Sequence, residues 1–260
     1  MTNTTNTTNT TNTTSTNNTT STTTTTNTKA NGTTALWMRD VAVTYPDGYE
    51  AIHGVDLDIA AGEIVALLGP SGSGKSSLLR AVAGLEAVTR GEVHIWGRNV
   101  AGVPVHKRGC GMVFQDGQLF PHRSVAGNIA YGLERTGRTK QQIAAEVNRW
   151  LAVVGLEGFG DRAITTLSGG QAQRVALARS LARGTGLLLL DEPLSALDRD
   201  LREELAVELR AIMTQANTAG LYVTHDHGEA FTVADRIAVV ADGRIKAIGP
   251  VPAIREKLAK

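Results

Sequence analysis

The stretch EIVALLGPSGSGKS, residues 63–76, is the strongest indication of the architecture of this chain. Its second part, GPSGSGKS at 69–76, fits the phosphate-binding pattern G-x-x-x-x-G-K-[ST]. Residues 63–68, which are apolar after Glu63, are typical of a buried strand, and residues 76–82 continue with helix formers and helical apolar spacing. A strand that enters a helix through a glycine-rich turn directs several backbone N–H groups at one place, where the helix macrodipole adds positive potential. The stretch therefore predicts a P-loop that holds a polyphosphate.

Each residue type in this loop has an expected task. The glycines permit the tight backbone path, Lys75 is expected to reach the β- and γ-phosphates, and the Ser76 hydroxyl is expected to hold Mg²⁺. The alternative is a glycine-rich surface turn with an incidental lysine, which the flanking strand and helix disfavour. We therefore predict that a nucleoside triphosphate and Mg²⁺ bind at Gly69, Pro70, Ser71, Gly72, Ser73, Gly74, Lys75, Ser76 and Ser77.

Composition limits the partners of the chain. A formal net charge of +1 provides no basic field for nucleic acid, and we expect no nucleic-acid partner. A hydrophobic fraction of 42% is sufficient for a sizeable core. Residues 1–28 are Met1 followed only by Thr, Asn and Ser, and we predict a disordered tail over 1–34. The single cysteine, Cys110, excludes an internal disulfide and suits a reducing cytosol.

The first half of the foldable sequence predicts an antiparallel sheet and a helical region. Residues 36–45, 50–59 and 92–96 are strand-like, and we expect them to form an antiparallel sheet beside the phosphate-binding strand. Residues from about 118 to 183 are mostly helical by pattern and predict a helical lobe. Within it, Thr139 and the glutamine three residues later have the spacing of a helix capping box.

The second half predicts a parallel sheet. The four leucines 187–190 form a short apolar run that is typical of a central strand covered on both faces. Apolar residues at helical spacing follow over 201–212, and strand-like runs return at 221–224 and 237–240. Strands that alternate with helices imply parallel pairing with right-handed crossovers. The predicted class is α/β: a P-loop NTPase core with a mostly parallel sheet, an antiparallel β subdomain and a helical subdomain.

Polar residues follow three of these strands, at the edge where α/β sheets bind ligands. Asp191 and Glu192 come directly after the leucine run, so Asp191 is a candidate Mg²⁺ ligand and Glu192 a candidate base for an attacking water. Gln115 ends the run 111–114 and is a candidate Mg²⁺ or water contact. His225 ends the run 221–224 and is a candidate donor to the γ-phosphate. Alone, Gln115 and His225 would be weak candidates. Their functional interpretation is favoured because they end strands at the same edge as Asp191 and Glu192.

A second anion-binding helix start is expected at residues 167–171, LSGGQ. A serine and two glycines before an apolar helix expose backbone N–H groups in the same way as the P-loop does. The chain thus has two predicted anion sites but only one group of candidate hydrolytic residues. This suggests a head-to-tail dimer, in which the second site of one subunit closes on the nucleotide of the other.

These motifs, in this order, resemble the ATP-binding subunit of an ABC transporter. The resemblance extends from residue 36 to about 250 and rests on GPSGSGKS (69–76), Gln115, LSGGQ (167–171), LLLLDEP (187–193), SALD (195–198) and His225. It implies an ATPase in which two subunits sandwich two ATP molecules. Each P-loop then faces four residues of the other subunit, namely Ser168, Gly169, Gly170 and Gln171.

The resemblance also implies roles for single residues and boundaries for the domains. Tyr45 would stack on adenine, and Glu192 would be the general base. The loop 195–198, with Ser195 and Asp198, would couple the two nucleotide sites. Residues 35–250 would form the ATP-binding cassette, and 251–260 a C-terminal helix or tail.

The family pattern further implies membrane partners. Its helical lobe and Gln115 loop contact transmembrane permease subunits, whereas this sequence contains no run of about 18 apolar residues that would span a bilayer. We therefore expect a peripheral position at the cytoplasmic face of the cell membrane. Residues 114–133 are similar to importers of the ferric-ion, thiamine, polyamine and molybdate group. This implies import of a small solute and a solute-binding protein as a further partner.

Two alternative functions remain open at this point. A soluble ABC-type ATPase acting on ribosomes or DNA is disfavoured, because the sequence has one cassette, no heptad insertion and one cysteine. A subunit of an exporter would use the same catalytic residues.

Overall fold

The computed structural model describes residues 33–115, 118–134, 136–195 and 197–259. The tail predicted over 1–34 lies outside these residues except for Thr33 and Thr34, and the first strand already begins at Thr34. The strands are, in chain order, β1 (Thr34–Thr44), β2 (Glu50–Ala60), β3 (Ile64–Leu68), β4 (Arg90–Ile95), β5 (Arg98–Asn99), β6 (Gly111–Val113), β7 (Leu187–Asp191), β8 (Ala219–Thr224), β9 (Arg236–Ala241) and β10 (Arg244–Pro250). The helices are α1 (Lys75–Ala83), α2 (Val125–Ala130), α3 (Lys140–Val153), α4 (Gly169–Ala182), α5 (Arg199–Gln215), α6 (His227–Val233) and α7 (Val251–Leu258).

Four strands form an antiparallel sheet in the order β2-β1-β4-β5. β1 pairs with β2 on one side and with β4 on the other, as the three strand-like runs predicted. The turn between β1 and β2 is closed by the Gly48 N–H, which donates to the Tyr45 carbonyl at 2.9 Å. The fourth strand, β5, has two residues and was not predicted, because so short a segment shows no alternation of apolar and polar residues.

Six strands form the second sheet, in the order β10-β9-β3-β8-β7-β6. β3 pairs in parallel with β8 and β9, and β7 pairs in parallel with β6 and β8. Every residue of β3 and β7 is buried, as expected for central strands that are covered on both faces. The edge strand β10 runs antiparallel to β9. The prediction of a mostly parallel sheet is therefore confirmed.

Two apolar cores lie on the two faces of this parallel sheet. Val65 and Leu67 of β3 belong to the core shared with α1 and the antiparallel sheet. Ala66 and Leu68 belong to the core shared with the helices from α2 to α6. Successive residues of β3 thus point to opposite faces, as the strand period requires. The loop that follows Leu68 consequently emerges between two packed layers.

The helices begin where their caps predict. The Thr139 side chain accepts a hydrogen bond from the Gln142 N–H, and the Gln142 side chain accepts one from the Thr139 N–H. This is the predicted capping box of α3, which packs Val147, Trp150 and Leu151 into the core. Among the helices in the described ranges, none has the length and hydrophobicity needed to cross a bilayer.

Candidate nucleotide site

The phosphate loop connects β3 to α1 as the sequence predicted. Gly74 caps α1 with a φ of 96°, a left-handed conformation that favours glycine. Lys75 is only 4% exposed, and its Nζ donates to the carbonyls of Gly69 and Pro70, each at 2.8 Å. Burial lowers the pKa of Lys75, while the nearby carboxylates of Glu192 and Asp191 act in the opposite direction. The ammonium group is thus held inside the loop and beside two acidic residues.

Ser76 and Asp191 meet at the end of β7. The Ser76 hydroxyl donates to Asp191 Oδ1 at 2.6 Å, and Arg80 Nε lies 3.6 Å from Asp191 Oδ2. Asp191 is 6% exposed, so its carboxylate and the Ser76 hydroxyl form a small buried polar site at the edge of a leucine-rich core. Hard oxygen donors next to a phosphate loop fit Mg²⁺, which takes one or two protein oxygens and completes its shell with phosphate and water.

Glu192 and His225 form a pair next to this point. His225 Nδ1 lies 3.1 Å from Glu192 Oε2. The backbone of Glu192 has a φ of 46°, an uncommon left-handed conformation for a residue with a side chain, and its N–H donates to the Val223 carbonyl at 3.0 Å. Such strained residues concentrate at functional sites. Glu192 also lines a hollow together with Lys75 and Ser76, so the predicted base faces the phosphate loop.

Gln115 reaches the same edge of the sheet through strand register. β6 pairs with β7 so that Val113 lies opposite Leu190, which puts Gln115 at the level of Glu192. The Gln115 side chain is exposed. The structure therefore brings Gln115, Glu192 and the Ser76 and Asp191 pair to one edge, as their positions after strands predicted.

Two tyrosines lie beside the phosphate loop. The Tyr45 hydroxyl is 2.9 Å from the Ser77 hydroxyl, which links the predicted adenine-stacking residue to α1. Tyr49 stacks nearly parallel to Tyr45, with 6.4 Å between ring centroids and 9° between planes. Tyr49 is 57% exposed and lines the same hollow as Lys75 and Glu192. Sequence reasoning missed Tyr49, although a second aromatic across the turn from Tyr45 was the available signal.

The loop 195–198, to which the family resemblance assigns coupling between nucleotide sites and which is called the coupling loop below, begins next to Glu192. The Ser195 hydroxyl donates to the Glu192 carbonyl at 2.9 Å, and Asp198 caps α5 by accepting from the Leu201 N–H at 3.0 Å. Ala196 lies outside the described residues. Both predicted residues of the coupling loop are therefore bonded to the elements on either side of it.

The second predicted anion site lies at the start of α4. Ser168 and Gln171 form a reciprocal capping box, in which each side chain accepts from the other residue's N–H. Gly169 is exposed at this helix start, whereas Gly170 is buried. Within the described ranges, no hydrogen bond or ion pair joins these four residues to the P-loop. The described contacts of the second site are thus those of its own helix start.

The family model for ABC transporters matches residues 52–195, more than half of the chain. This chain belongs to the ABC transporter family. The matched range includes the P-loop, the LSGGQ segment and the Asp191 and Glu192 pair. The family resemblance that the motifs predicted is therefore confirmed.

Several relatives in this family bear the names of import subunits. Over 202 residues, the chain is 54% identical to the Fe(3+) ions import ATP-binding protein FbpC of Streptomyces avermitilis, with 78% of this chain and 59% of that protein covered. Over 232 residues, it is 48% identical to the spermidine/putrescine import ATP-binding protein PotA 1 of Pseudomonas aeruginosa, with coverage of 86% and 63%. The chain thus spans about three fifths of the length of these curated relatives.

Solved ABC structures share the fold. The structure of cbiO1 from Clostridium perfringens, part of the ABC transporter complex cbiONQ, superposes with a TM-score of 0.81 at 27% identity, over 87% of this chain and 92% of that one. A dimeric, post-hydrolysis ATP-binding cassette, MJ0796 bound to ADP and Pi, superposes with a TM-score of 0.73 at 30% identity, over 83% and 98%. The predicted P-loop α/β class is therefore confirmed.

Proposed function

We propose that this chain is the ATP-hydrolysing subunit of an ABC import system, in which Glu192 and His225 act on ATP held by the P-loop. The observation that carries the proposal is the 3.1 Å contact between His225 and Glu192, with Glu192 lining the hollow that also contains Lys75 and Ser76. A phosphate-binding loop alone would only bind a nucleotide. A carboxylate and an imidazole beside it supply what hydrolysis requires.

The roles of the residues follow from their chemistry. Lys75 and the loop N–H groups would bind the β- and γ-phosphates. Glu192 would accept a proton from the attacking water. In its protonated form, His225 donates to Glu192 through Nδ1 and offers its second N–H to a γ-phosphate oxygen.

Tyr45 is proposed to stack on adenine, with Mg²⁺ held nearby. The candidate ligands of the ion are Ser76, Gln115 and Asp191, of which Ser76 and Asp191 are already bonded to each other. When bound, Mg²⁺ neutralises charge on the phosphate oxygens. Ser71, Gly72 and the other loop residues would complete the nucleotide contacts.

A second copy of the chain would complete each nucleotide site. The exposed start of α4, with Ser168, Gly169, Gly170 and Gln171, would meet the nucleotide on the other subunit, and the coupling loop would join the two sites. One of the similar solved structures, the ATP-binding cassette MJ0796, is dimeric, which favours this arrangement. The proposed boundaries are a cassette over 35–250 with its helical lobe over about 118–183.

Permease subunits and a solute-binding protein are the proposed partners, at the cytoplasmic face of the membrane. An aromatic cluster after Gln115 suits a permease contact: the Phe120 and Tyr131 rings are 4.5 Å apart, and Arg123 lies over Tyr131. Tyr131 is 44% exposed. The Fe(3+) and spermidine/putrescine importers among the relatives favour import over export or a soluble role, and ferric ion or a polyamine as the solute.

Phosphate release by the Glu192→Gln variant tests the proposed chemistry. We expect ATP binding to persist, turnover to fall by at least about 100-fold, and an ATP-bound dimer to appear in size-exclusion chromatography. Glu203→Gln, which changes an exposed residue on α5, is the matched control and should hydrolyse ATP at the wild-type rate. Near-normal hydrolysis by Glu192→Gln would remove Glu192 from the role of base.

A further inference from the structure

Arg202 contacts two parts of the site that the proposed mechanism treats separately. It lies near the start of α5, and its Nη2 donates to the Leu197 carbonyl of the coupling loop at 2.7 Å. On its other side, Nη1 lies 3.5 Å from Asp226 Oδ2, and Nε lies 3.5 Å from Glu229 Oε1. One side chain thus joins the coupling loop to the first turn of α6, which begins directly after His225 and Asp226.

These contacts close a ring around Glu192. On one side, the Ser195 hydroxyl ties the coupling loop to the Glu192 carbonyl. On the other side, the Glu192 carboxylate meets His225, and Thr224, the residue before His225, donates its hydroxyl to Glu229 Oε2 at 2.8 Å. Arg202 is the remaining link, because it contacts both Glu229 and the coupling loop.

The buried carboxylate of Glu229 lowers the stability of the folded chain. It is 4% exposed, and burial raises the pKa of its carboxyl even though Tyr222 and Thr224 both donate to it. A raised pKa means that the folded chain disfavours the charged form, so the carboxylate reduces stability at neutral pH. A buried acid that weakens the fold is expected to have another use.

The contact between Arg202 and Glu229 is also incomplete. Arg202 Nε is buried and donates no hydrogen bond within the part of the chain that the structure describes. At 3.5 Å from Glu229 Oε1, a shift of a few tenths of an ångström would bring it to ordinary hydrogen-bond distance. A small movement of the coupling loop, to which the same guanidinium is bonded, would therefore change this contact.

We propose that Arg202 is a positioning residue that transmits movement of the coupling loop to His225 through Glu229. The inference deepens the proposed function and rests on it, because the coupling loop is the part of the chain proposed to meet the second subunit. When the loop shifts, the Leu197 carbonyl moves the guanidinium relative to Glu229. Glu229 lies in the first turn of α6 and accepts a hydrogen bond from Thr224. His225 lies in the chain between Thr224 and α6, so a shift of Glu229 would move both of its attachment points.

Arg210 provides a matched control on the same helix. It too joins α5 to the α6 region, since it donates to the Val233 carbonyl and to Asp235 Oδ1, both at 2.6 Å. Its partners lie at the far end of α6 and make no described bond to Ser195, Leu197 or Asp198. Arg202→Met and Arg210→Met therefore each remove one α5 to α6 arginine bridge, but only the first interrupts the ring around Glu192.

The experiment compares ATP turnover, nucleotide affinity and thermal stability of the full chain and its variants. For Arg202→Met we expect kcat about 10-fold lower and a Kd for a fluorescent ATP analogue within about twofold of wild type. Arg210→Met should lower Tm but leave kcat within about twofold. Arg202→Lys should recover part of kcat, because one ammonium group cannot reach the carbonyl and both carboxylates together.

Glu229→Gln separates function from stability. The amide oxygen still accepts from Tyr222 and Thr224 and the buried charge is gone, so the variant should remain folded. Its NH₂ group would face Arg202 Nε donor to donor, so kcat should fall about as far as in Arg202→Met. The double variant Arg202→Met with Glu229→Gln should fall little further, since the two residues act as one unit. Wild-type kcat in a folded Arg202→Met or Glu229→Gln chain would overturn the inference.

A readout that does not require hydrolysis separates this inference from the proposed function. Hydrogen exchange at residues 195–198, measured by mass spectrometry, should be faster in Glu229→Gln than in the wild type, although the substitution is distant in sequence. In Arg210→Met, exchange at these residues should be unchanged. A wild-type chain that fails to hydrolyse ATP would refute the proposed function. Unchanged exchange at 195–198 in Glu229→Gln would refute the link through Arg202, whatever the ATPase assay gives.

Discussion

The substitution Gly69→Ala adds one methyl group at the point where the phosphate loop leaves β3. The new Cβ would lie 2.1 Å from the backbone oxygen of Val240 and 3.2 Å from Ser73 Oγ. The Val240 oxygen is part of β9 and cannot rotate away as a flexible side chain can. The loop must therefore move by about 0.9 Å to reach 3.0 Å, below which real Cβ contacts are essentially never found.

A loop displaced by about 1 Å no longer aims its N–H groups at the phosphates, and the loss of two hydrogen bonds to a charged group, at about 1.5 kcal/mol each, corresponds to roughly 100-fold in Kd. We therefore expect the Kd of a fluorescent ATP analogue to rise about 100-fold for Gly69→Ala in a fluorescence titration, while circular dichroism still shows cooperative unfolding. Gly72→Ala is the comparison within the same loop. Its Cβ would meet no atom within 4 Å, but the residue has a φ of 80°, so it introduces strain without a collision.

Left-handed strain costs about 1–2 kcal/mol, which limits the loss of affinity in Gly72→Ala to about 30-fold. The order of the two variants is thus part of the prediction: collision with β9 should weaken binding more than strain does. A Gly69→Ala chain that binds the analogue within about threefold of wild type would show that the loop is not pressed against β9.

Three further substitutions or modifications test other parts of the structure. Burial raises the pKa of Cys110 to about 11, so its thiolate at pH 8 is about 100-fold scarcer than for an ordinary thiol. At pH 8, a thiol-specific disulfide reagent should therefore react with the native chain at roughly 1% of its rate with the unfolded chain. The rate with the native chain should rise about tenfold per pH unit up to pH 10. Asn128 is fully buried and bonds both the N–H and the carbonyl of Phe120, so Asn128→Ala should lower the free energy of unfolding by about 2–4 kcal/mol in urea. Ser76→Ala loses the hydroxyl that donates to Asp191 and should raise the Mg²⁺ concentration for half-maximal ATPase activity at least about 10-fold.

Each of these predictions has a matched control. Ser76→Thr keeps a hydroxyl and should keep the wild-type Mg²⁺ requirement, so equal behaviour of the alanine and threonine variants would refute the Mg²⁺ role. Asn148→Ala changes an exposed asparagine of α3 that makes no side-chain hydrogen bond within the described residues, and it should not lower the free energy of unfolding. For Cys110, a native reaction rate close to that of the unfolded chain would contradict the raised pKa.

The parts of the site that could be predicted have local signals. The P-loop was recognisable because an apolar run, a glycine-rich turn and a helix follow one another within residues 63–82. Asp191, Glu192 and His225 were recognisable because each ends or follows a strand, and the carboxyl ends of parallel strands share one edge. Strand direction alone thus predicted that residues far apart in the sequence would lie together.

Other parts depend on register and packing that no local pattern records. β10 alternates exposed and half-buried residues at a sheet edge, so its hydrophobic signal is weak, and α6 has only seven residues. The stacking of Tyr49 on Tyr45 requires the turn geometry. The position of Arg202 between the coupling loop and Glu229 requires the packing of α5 on α6, which the apolar spacing of α5 predicts only as a buried face.

Strand order has a consequence for when this chain becomes competent during its synthesis. β3 carries the phosphate loop and is made early, yet its two neighbours in the sheet are β8 and β9, which begin at Ala219 and Arg236. Val240, which lies against Gly69, is made about 170 residues after it. A nascent chain therefore exposes the unpaired edges of β3 until β8 and β9 have been made, and a chain that terminates before β9 leaves the phosphate loop without the strand that lies against Gly69.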